Sequence, residues 1–583
     1  MKKLIYFAAA ILSVAACDLY ESPVSDVAKD NLFASENGLK MYSMSFYDVL
    51  PSGSITTWGD YDRNYMNAFM GVNSFFLDSY TPSQEGQWSW TTLRNINYFL
   101  DNNTDETLSE SVRNNYNGLA RFWRAYFYFD KIRTYGDVPW IDHAPDIDDD
   151  EVLYGGRDSR NTVAEHMYED LQFAIDNITE TTNSTGTTVT NLVAAGLQSR
   201  FCLWEGTFRK YHGESDANKW LQRAADAAKI VIDSKMFSIY TKGNQPYRDL
   251  FVTSTPIVQE VMLATVFSNA ENILNSMNRK STVSTLGTTA SPIRQFMNLY
   301  LKLDGTPYTD DPSYATDEFM HEFDGRDKRI GQTIRVPGTM RSNGAAYPDW
   351  MVTYTGYMGM KFCTDDVTLD AKNATGENNY VFMRYAEILL NYAEAKAELG
   401  SLTDDEWAQT VGAIRSRAGI TGGLTAKPTK VDKYLQETWF PTISDPVILE
   451  VRRERMLELV WEDCPSAFAD IQRWAIGSAL GMKWQCIYVK EFNTNIDLDL
   501  DGTPDVFFYT EPSKKPAAEG HVAYIYVPLT LDKTQHWTVD TDGHTLIFDM
   551  MVDKIQWKDK YYFHPISTND IALNPNLTQT TGW

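Results

Sequence analysis

The sequence predicts a mainly α-helical fold: paired helices of tetratricopeptide-like size forming a scaffold, with long irregular loops and a few short β-hairpins. Helical spacing of apolar residues recurs in segments that fall in pairs, whereas residues 240–380 and 484–566 carry no sustained 3.6-residue period. The chain has 583 residues, 43% hydrophobic and 13% aromatic, with a mean hydropathy of −0.37. That composition gives a well-packed globular chain and excludes a disordered one, which lacks the apolar surface to offset ordering entropy. A single uninterrupted apolar run, at the extreme N-terminus, excludes a polytopic membrane protein. A formal charge of −26 argues against a nucleic-acid partner, because phosphate backbones are held by clustered Lys and Arg.

Taken in order, Met1-Lys2-Lys3 is a short positive region followed by an apolar run from Leu4 to Ala16. The run is too short to span a bilayer and suits a secretory signal over residues 1–16. Leu12-Ser13-Val14-Ala15-Ala16-Cys17 resembles the lipobox of bacterial lipoproteins, which makes Cys17 the lipidated first residue of a mature chain of charge −28. Such a charge disfavours polyanionic glycans through unfavourable steering. An acidic tether is expected over residues 17–34, then a first helix from about Ser35 to Val49. Residues 50–87 read as irregular, punctuated by Pro51, Gly53, Gly59, Gly71, Pro82 and Gly86.

Leu119, Phe122, Trp123, Tyr126 and Phe127 form one wide apolar face, stopped by Tyr135-Gly136-Asp137-Val138-Pro139. A helix from Val163 to Asn177, with Thr162 as N-cap, precedes a pair, Asn191 to Phe208 and Trp220 to Ser234, turning at Gly213. A later pair runs from Tyr385 to Leu399, ended by Gly400, and from Trp407 to Ala418. Trp90, Trp123, Trp220 and Trp474 lie on helical faces and are expected in the core.

Chemical motifs are sparse. His321-Glu322 begins a zincin-like pattern, but Gly325 stands where the second histidine is required. Cys202 reads as a buried thiol, and Cys464 and Cys486 could bridge in an oxidising compartment. Glu454, Arg455, Glu458, Glu462, Asp470 and Arg473 alternate in sign at helical spacing, which favours structural pairing over acid–base chemistry. No cofactor is required, but Asp497, Asp499, Asp501 and Asp505, with Gly502 at the sixth position, match the spacing of a calcium loop. The competing reading is a β-hairpin with aspartates on its polar face and Asp501-Gly502 in the turn.

Four separated segments carry a family resemblance. Ala120-Arg121-Phe122-Trp123-Arg124-Ala125-Tyr126-Phe127-Tyr128-Phe129, with its Gly136-Asp137-Val138-Pro139 exit, resembles a helix of the SusD/RagB outer-membrane lipoproteins. Arg384-Tyr385-Ala386-Glu387-Ile388-Leu389-Leu390 with Tyr392-Ala393-Glu394-Ala395 is similar to another of their helices. Glu454 to Trp474 and His564 to Trp583 resemble their C-terminal segments, although Glu462-Asp463-Cys464-Pro465 replaces the usual Glu-Gly-x-Arg. The resemblance implies one domain over residues 17–583, with an N-terminal helical part (35–240) and a loop-rich C-terminal part (241–583). It implies a non-catalytic, lipid-anchored outer-membrane protein facing the cell exterior. Such a protein captures oligosaccharide and delivers it to a SusC-like TonB-dependent transporter. A RagB-type peptide receptor, or a lipid-anchored helical glycosidase or lyase, remains open.

A sugar ring rests its C–H face on an aromatic ring while its hydroxyls require placed polar partners. Two irregular stretches offer both. One contains Trp58, Asp60, Tyr61 and Arg63; the other contains Asn343, Tyr347, Asp349, Trp350 and Tyr354, with Tyr357 beyond. The alternative for each is a set of aromatics that pins a long loop to the scaffold.

Overall fold

The computed structural model describes residues 32–50, 66–68, 73–283, 291–462, 467–520, 522–530, 535–548 and 554–583. Cys17, the signal and tether residues up to 31, the Trp58–Arg63 cluster and Cys464 lie outside the described residues.

The scaffold is built from helices α1 (Glu36–Met44), α2 (Thr91–Asn102), α3 (Glu110–Tyr135), α4 (Arg160–Asn177), α5 (Asn191–His212) and α6 (Ala217–Ser234). It continues with α7 (Tyr385–Glu398), α8 (Asp404–Trp407, extended by a wide turn into Ala413–Arg417), α9 (Pro446–Glu458) and α10 (Ala467–Trp474). Consecutive helices α3 to α6 pack side by side, α7 continues the stack against α6, and α9 and α10 close onto α7 and α5. This is the paired-helix architecture that the periodicity predicts.

Helix ends follow local chemistry. Ser35 caps α1, Ser109 caps α3 and Thr190 caps α5, each side chain accepting a backbone N–H of the first turn. Gly213, at φ 74°, ends α5 in the left-handed conformation. Thr162 is not the cap of α4. Ser159 is, and it accepts the Thr162 N–H at 3.2 Å, so the helix begins one turn earlier than its apolar pattern. Leu32 and Phe33, placed by sequence in the tether, pack onto the helical scaffold, Phe33 being buried against Tyr42 and Phe99.

Two large apolar cores result. The first gathers Phe122, Trp123, Phe201, Trp204 and Trp220 between α2 and α6; the second gathers Phe296, Trp350, Trp407, Trp439, Phe508 and Phe548. Between them runs an antiparallel ribbon of β1 (Val261–Thr265) and β4 (Tyr380–Arg384). It sends Met262, Leu263, Phe382 and Met383 into the first core and Val261, Ala264, Tyr380 and Val381 into the second. A ribbon buried on both sides reads as a continuous apolar run without alternation. The excursion between these strands holds a tight hairpin, β2 (Met340–Arg341) with β3 (Gly344–Ala345).

The C-terminal excursion forms two small sheets. One joins β5 (Gln485–Tyr488) to β10 (Thr545–Phe548) and β9 (Trp537–Val539); the other joins β6 (Asn495–Ile496), β7 (Val506–Tyr509) and β8 (Ala523–Tyr526), with β7 and β8 parallel.

Where α9 meets the ribbon, charge is buried in quantity. Arg384 Nη1 donates to Glu458 Oε1 at 2.5 Å and Glu260 Oε1 at 3.0 Å, and its Nε donates to Glu462 Oε2 at 2.8 Å. Arg417 donates to both Glu260 and Glu458, and Arg329 Nη1 reaches Glu454 at 2.6 Å and Glu458 at 2.9 Å. Lys361 Nζ donates to Glu462 Oε1 at 2.7 Å. Burial draws this ammonium down to about 7 against the attraction of Glu462. A second set ties α10 to α7: Arg473 forks onto Glu394 at 2.5 and 2.8 Å, and Asp470 accepts from Arg455 and Arg473. The charges of alternating sign are therefore structural pairs, as the spacing predicts, and α10 forms despite the altered segment before it.

Candidate functional site

The second aromatic stretch divides. Trp350, Tyr354 and Tyr357 are buried, at 3%, 7% and 0% exposure, and are not available to a ligand. Trp350 meets Phe508 of β7 edge-on at 4.8 Å and Trp537 of β9 at 5.8 Å. The Tyr354 carbonyl accepts the Trp537 Nε1–H at 2.7 Å, and the Tyr357 hydroxyl donates to Glu322 at 3.1 Å. These aromatics pin the loop onto the C-terminal sheets, where burying large rings is worth more than leaving them in water.

Asn343, Tyr347 and Asp349, by contrast, line one cavity of about 240 Å³. Asn343 sits exposed at the tip of the β2–β3 hairpin, while Tyr347 and Asp349 are half-buried. Asp349 Oδ1 accepts the Met351 N–H at 2.8 Å, which turns the chain so that Trp350 points inward and Tyr347 remains at the cavity. Burial, then the carboxylates of Asp349, Asp505 and Asp499, raises the Tyr347 hydroxyl above its ordinary pKa and keeps it protonated.

Two arginines that sequence reasoning missed complete the lining, Arg335 and Arg341. Arg341 is neutralised by a two-pronged pair with Asp370, at 2.6 and 2.9 Å. Arg335 donates from Nη1 to the Tyr347 carbonyl at 3.0 Å, and its buried Nε has no partner among the described residues. Nothing in the sequence around Arg335 has a period or motif that would have singled it out.

The aspartate loop between β6 and β7 lies beside this cavity. Carboxylate oxygens of Asp497, Asp499 and Asp501 converge within 4.8 Å of one another. Leu500 (φ 63°) and Gly502 (φ 90°) bend the loop, and Asp497 accepts the Gly502 N–H at 2.7 Å. Asp505 does not join them. It is buried, and accepts the Leu498 N–H at 2.7 Å, closing the loop as a hairpin clasp. Burial and the neighbouring carboxylates push Asp505 up to about 6 and raise Asp499, whose Oδ2 has no hydrogen-bond partner among the described residues. Three hard oxygens and mutual repulsion fit a divalent cation; the fourth expected ligand is committed to the backbone.

Two further expectations meet the structure here. Trp90 is half-buried, not core, and with Trp88 and Tyr154 it lines a separate cleft of about 400 Å³. Trp123, Trp220 and Trp474 are core residues as predicted. Cys486 is a free, buried thiol, and Cys464, its candidate partner, lies outside the described residues.

Comparison with known proteins decides the family. The model described as "SusD family" matches residues 269–583, more than half of the chain. This chain belongs to the SusD family. A second model, described as "Starch-binding associating with outer membrane", matches residues 23–203 of the same SusD-family chain. SusD-like protein P2 of Formosa agariphila is 25% identical over 515 residues, covering 82% of this chain and 92% of that one. Among solved structures, a SusD-like protein of Bacteroides fragilis superposes with a TM-score of 0.69 at 18% identity, covering 97% of this chain and all of the other. A SusD-like carbohydrate-binding protein of the same species gives 0.68 at 19% identity, over 94% and 100% of the two chains. A laminarin-binding SusD-like protein gives 0.53 at 16%, over 95% and 99%. These likenesses establish that the helical scaffold is the SusD-family fold.

Proposed function

We propose that this SusD-family chain is a glycan-binding lipoprotein of the outer membrane, tethered through Cys17 and facing the cell exterior. It captures oligosaccharide without covalent chemistry and passes it to a partner TonB-dependent transporter. The observation that carries the reading is the pair of family matches, one described as starch-binding and outer-membrane-associated. The relatives named for carbohydrate and laminarin binding lend it support. The cavity lined by Asn343, Tyr347 and Asp349 supplies what a sugar requires: a half-exposed ring, an amide and a carboxylate that can accept hydroxyl protons.

Affinity electrophoresis of the mature protein across a polysaccharide panel is the direct test. Tyr347→Ala is expected to weaken binding of the retained glycan about tenfold, the effect of removing a stacking anchor from a small site. Unchanged affinity would move the site elsewhere. Retardation by no glycan, with tight binding of peptides, would replace the reading by a peptide receptor. Release of reducing ends from any bound polysaccharide would replace it by an enzyme.

Asp497, Asp499 and Asp501 are proposed to hold calcium, which would relieve the repulsion among them and stiffen the loop beside Tyr347. Calcium is expected to raise the melting temperature relative to chelator, and Asp499→Asn to abolish the increase. No difference between calcium and chelator in the wild-type chain would refute the proposal.

A further inference from the structure

Arg335 differs from the four arginines that meet α9 and the ribbon. Arg329, Arg384, Arg415 and Arg417 are each paired with at least two carboxylates. Like Arg294 and Arg326, which bond only to backbone carbonyls, Arg335 has no carboxylate partner among the described residues, but Arg335 lines a cavity. Arg335 is 9% exposed, yet among the described residues no carboxylate pairs with it and only Nη1 is engaged, by the Tyr347 carbonyl. Burial pulls its pKa below the ordinary arginine value and nearby Arg341 adds to the fall, while Asp370 and Asp349 oppose it. An arginine does not give up its proton under these conditions, so the fold keeps an unmatched cation at the wall of a cavity.

Neither carboxylate at this cavity pairs with Arg335. Asp370 is held by Arg341 and by the Asn278 amide, at 3.2 Å. Asp349 lies beyond ion-pair distance of Arg335 and is occupied by the Met351 N–H. Asn343 and Tyr347 line the same cavity. Guanidinium groups match the planar or tetrahedral oxygens of carboxylates and sulfates with paired, charge-assisted hydrogen bonds.

We infer that this cavity reads an acidic sugar, with Arg335 pairing to a carboxylate or sulfate substituent while Asn343 and Tyr347 hold the ring. The inference rests on the glycan-binding reading and narrows its substrate class. It suits one acidic substituent per repeating unit. A densely charged polyanion is still opposed by the chain's overall negative charge, which acts at long range, whereas Arg335 acts only on contact.

The test compares glucuronate, glucose 6-sulfate and glucose as probes by ligand-observed NMR titration of the mature protein. One of the two acidic sugars is expected to bind about ten- to a hundred-fold tighter than glucose. Whichever does so names the source of the oxyanion, and inorganic sulfate should compete with it. Arg335→Gln should erase the preference with the melting temperature held, and Arg335→Lys should retain part of it. Should Arg335→Gln fail to fold, the salt dependence of the wild-type preference decides: it must shrink with added chloride. Equal affinity for acidic and neutral sugars, absence of binding by both acidic probes, or a preference that survives Arg335→Gln overturns the inference. Neutral polysaccharides retarded in the electrophoresis would then leave the glycan-binding reading intact while the acidic subsite fails.

Discussion

Replacing Glu458 by glutamine is expected to cost about 3–5 kcal/mol of folding stability, because it removes one partner of a buried ionic network while leaving the others in place. Its carboxylate accepts from Arg329 at 2.9 Å, from Arg384 at 2.5 Å and from Arg417, all of them buried. Burial alone would raise its pKa, but those guanidinium groups hold it well below the ordinary glutamate value. Glutamine preserves the shape and turns an amide toward three cations. Urea denaturation measures the loss; the exposed Glu437→Gln, which has no such partners, should stay within about 0.5 kcal/mol of wild type. A Glu458→Gln chain as stable as that control would mean that the network contributes nothing.

Trp350→Ala is expected to lower stability by about 3–5 kcal/mol, the range for deleting a large buried ring. The ring fills the junction between Phe508 and Trp537, and a carbon on Gly356 would already approach it to 2.8 Å, which shows how closely the loop is wrapped around it. Trp350→Phe should recover part of the loss. Glycan affinity, measured well below the melting temperature, should change less than in Tyr347→Ala. A variant that melts like wild type but no longer binds glycan would show that Trp350 stacks on the ligand after all.

Those two residues illustrate what the sequence made legible. The helices were readable because their apolar faces repeat: α5, α6 and α7 begin and end within a few residues of the pattern, and α3 ends where it does but starts well before Leu119. The charges of α9 were readable as pairs, because spacing alone places alternating signs where they meet neighbouring helices. The loop aromatics were not. Tyr347 and Trp350 are three residues apart with no period to separate them, and only the turn at Asp349 directs one inward and leaves the other at the cavity. Asp505 matched a ligand spacing, but its partner is a backbone N–H seven residues earlier, which spacing does not encode. Arg335 carried no signal, since its meaning lies in the carboxylate it lacks.

The ionic junction also governs the order in which the chain can acquire its shape. Arg329, Arg384 and Arg417 precede the glutamates of α9 in the chain, and an intermediate that docked the β1–β4 ribbon into the second core without α9 would leave Arg384 and Arg417 sharing Glu260 alone and Arg329 with Asp327 alone. Partial assembly is penalised, and contacts across such long sequence separations are expected to close late and cooperatively. The helical stack from α3 to α6 carries no such debt to α9 and is free to form first.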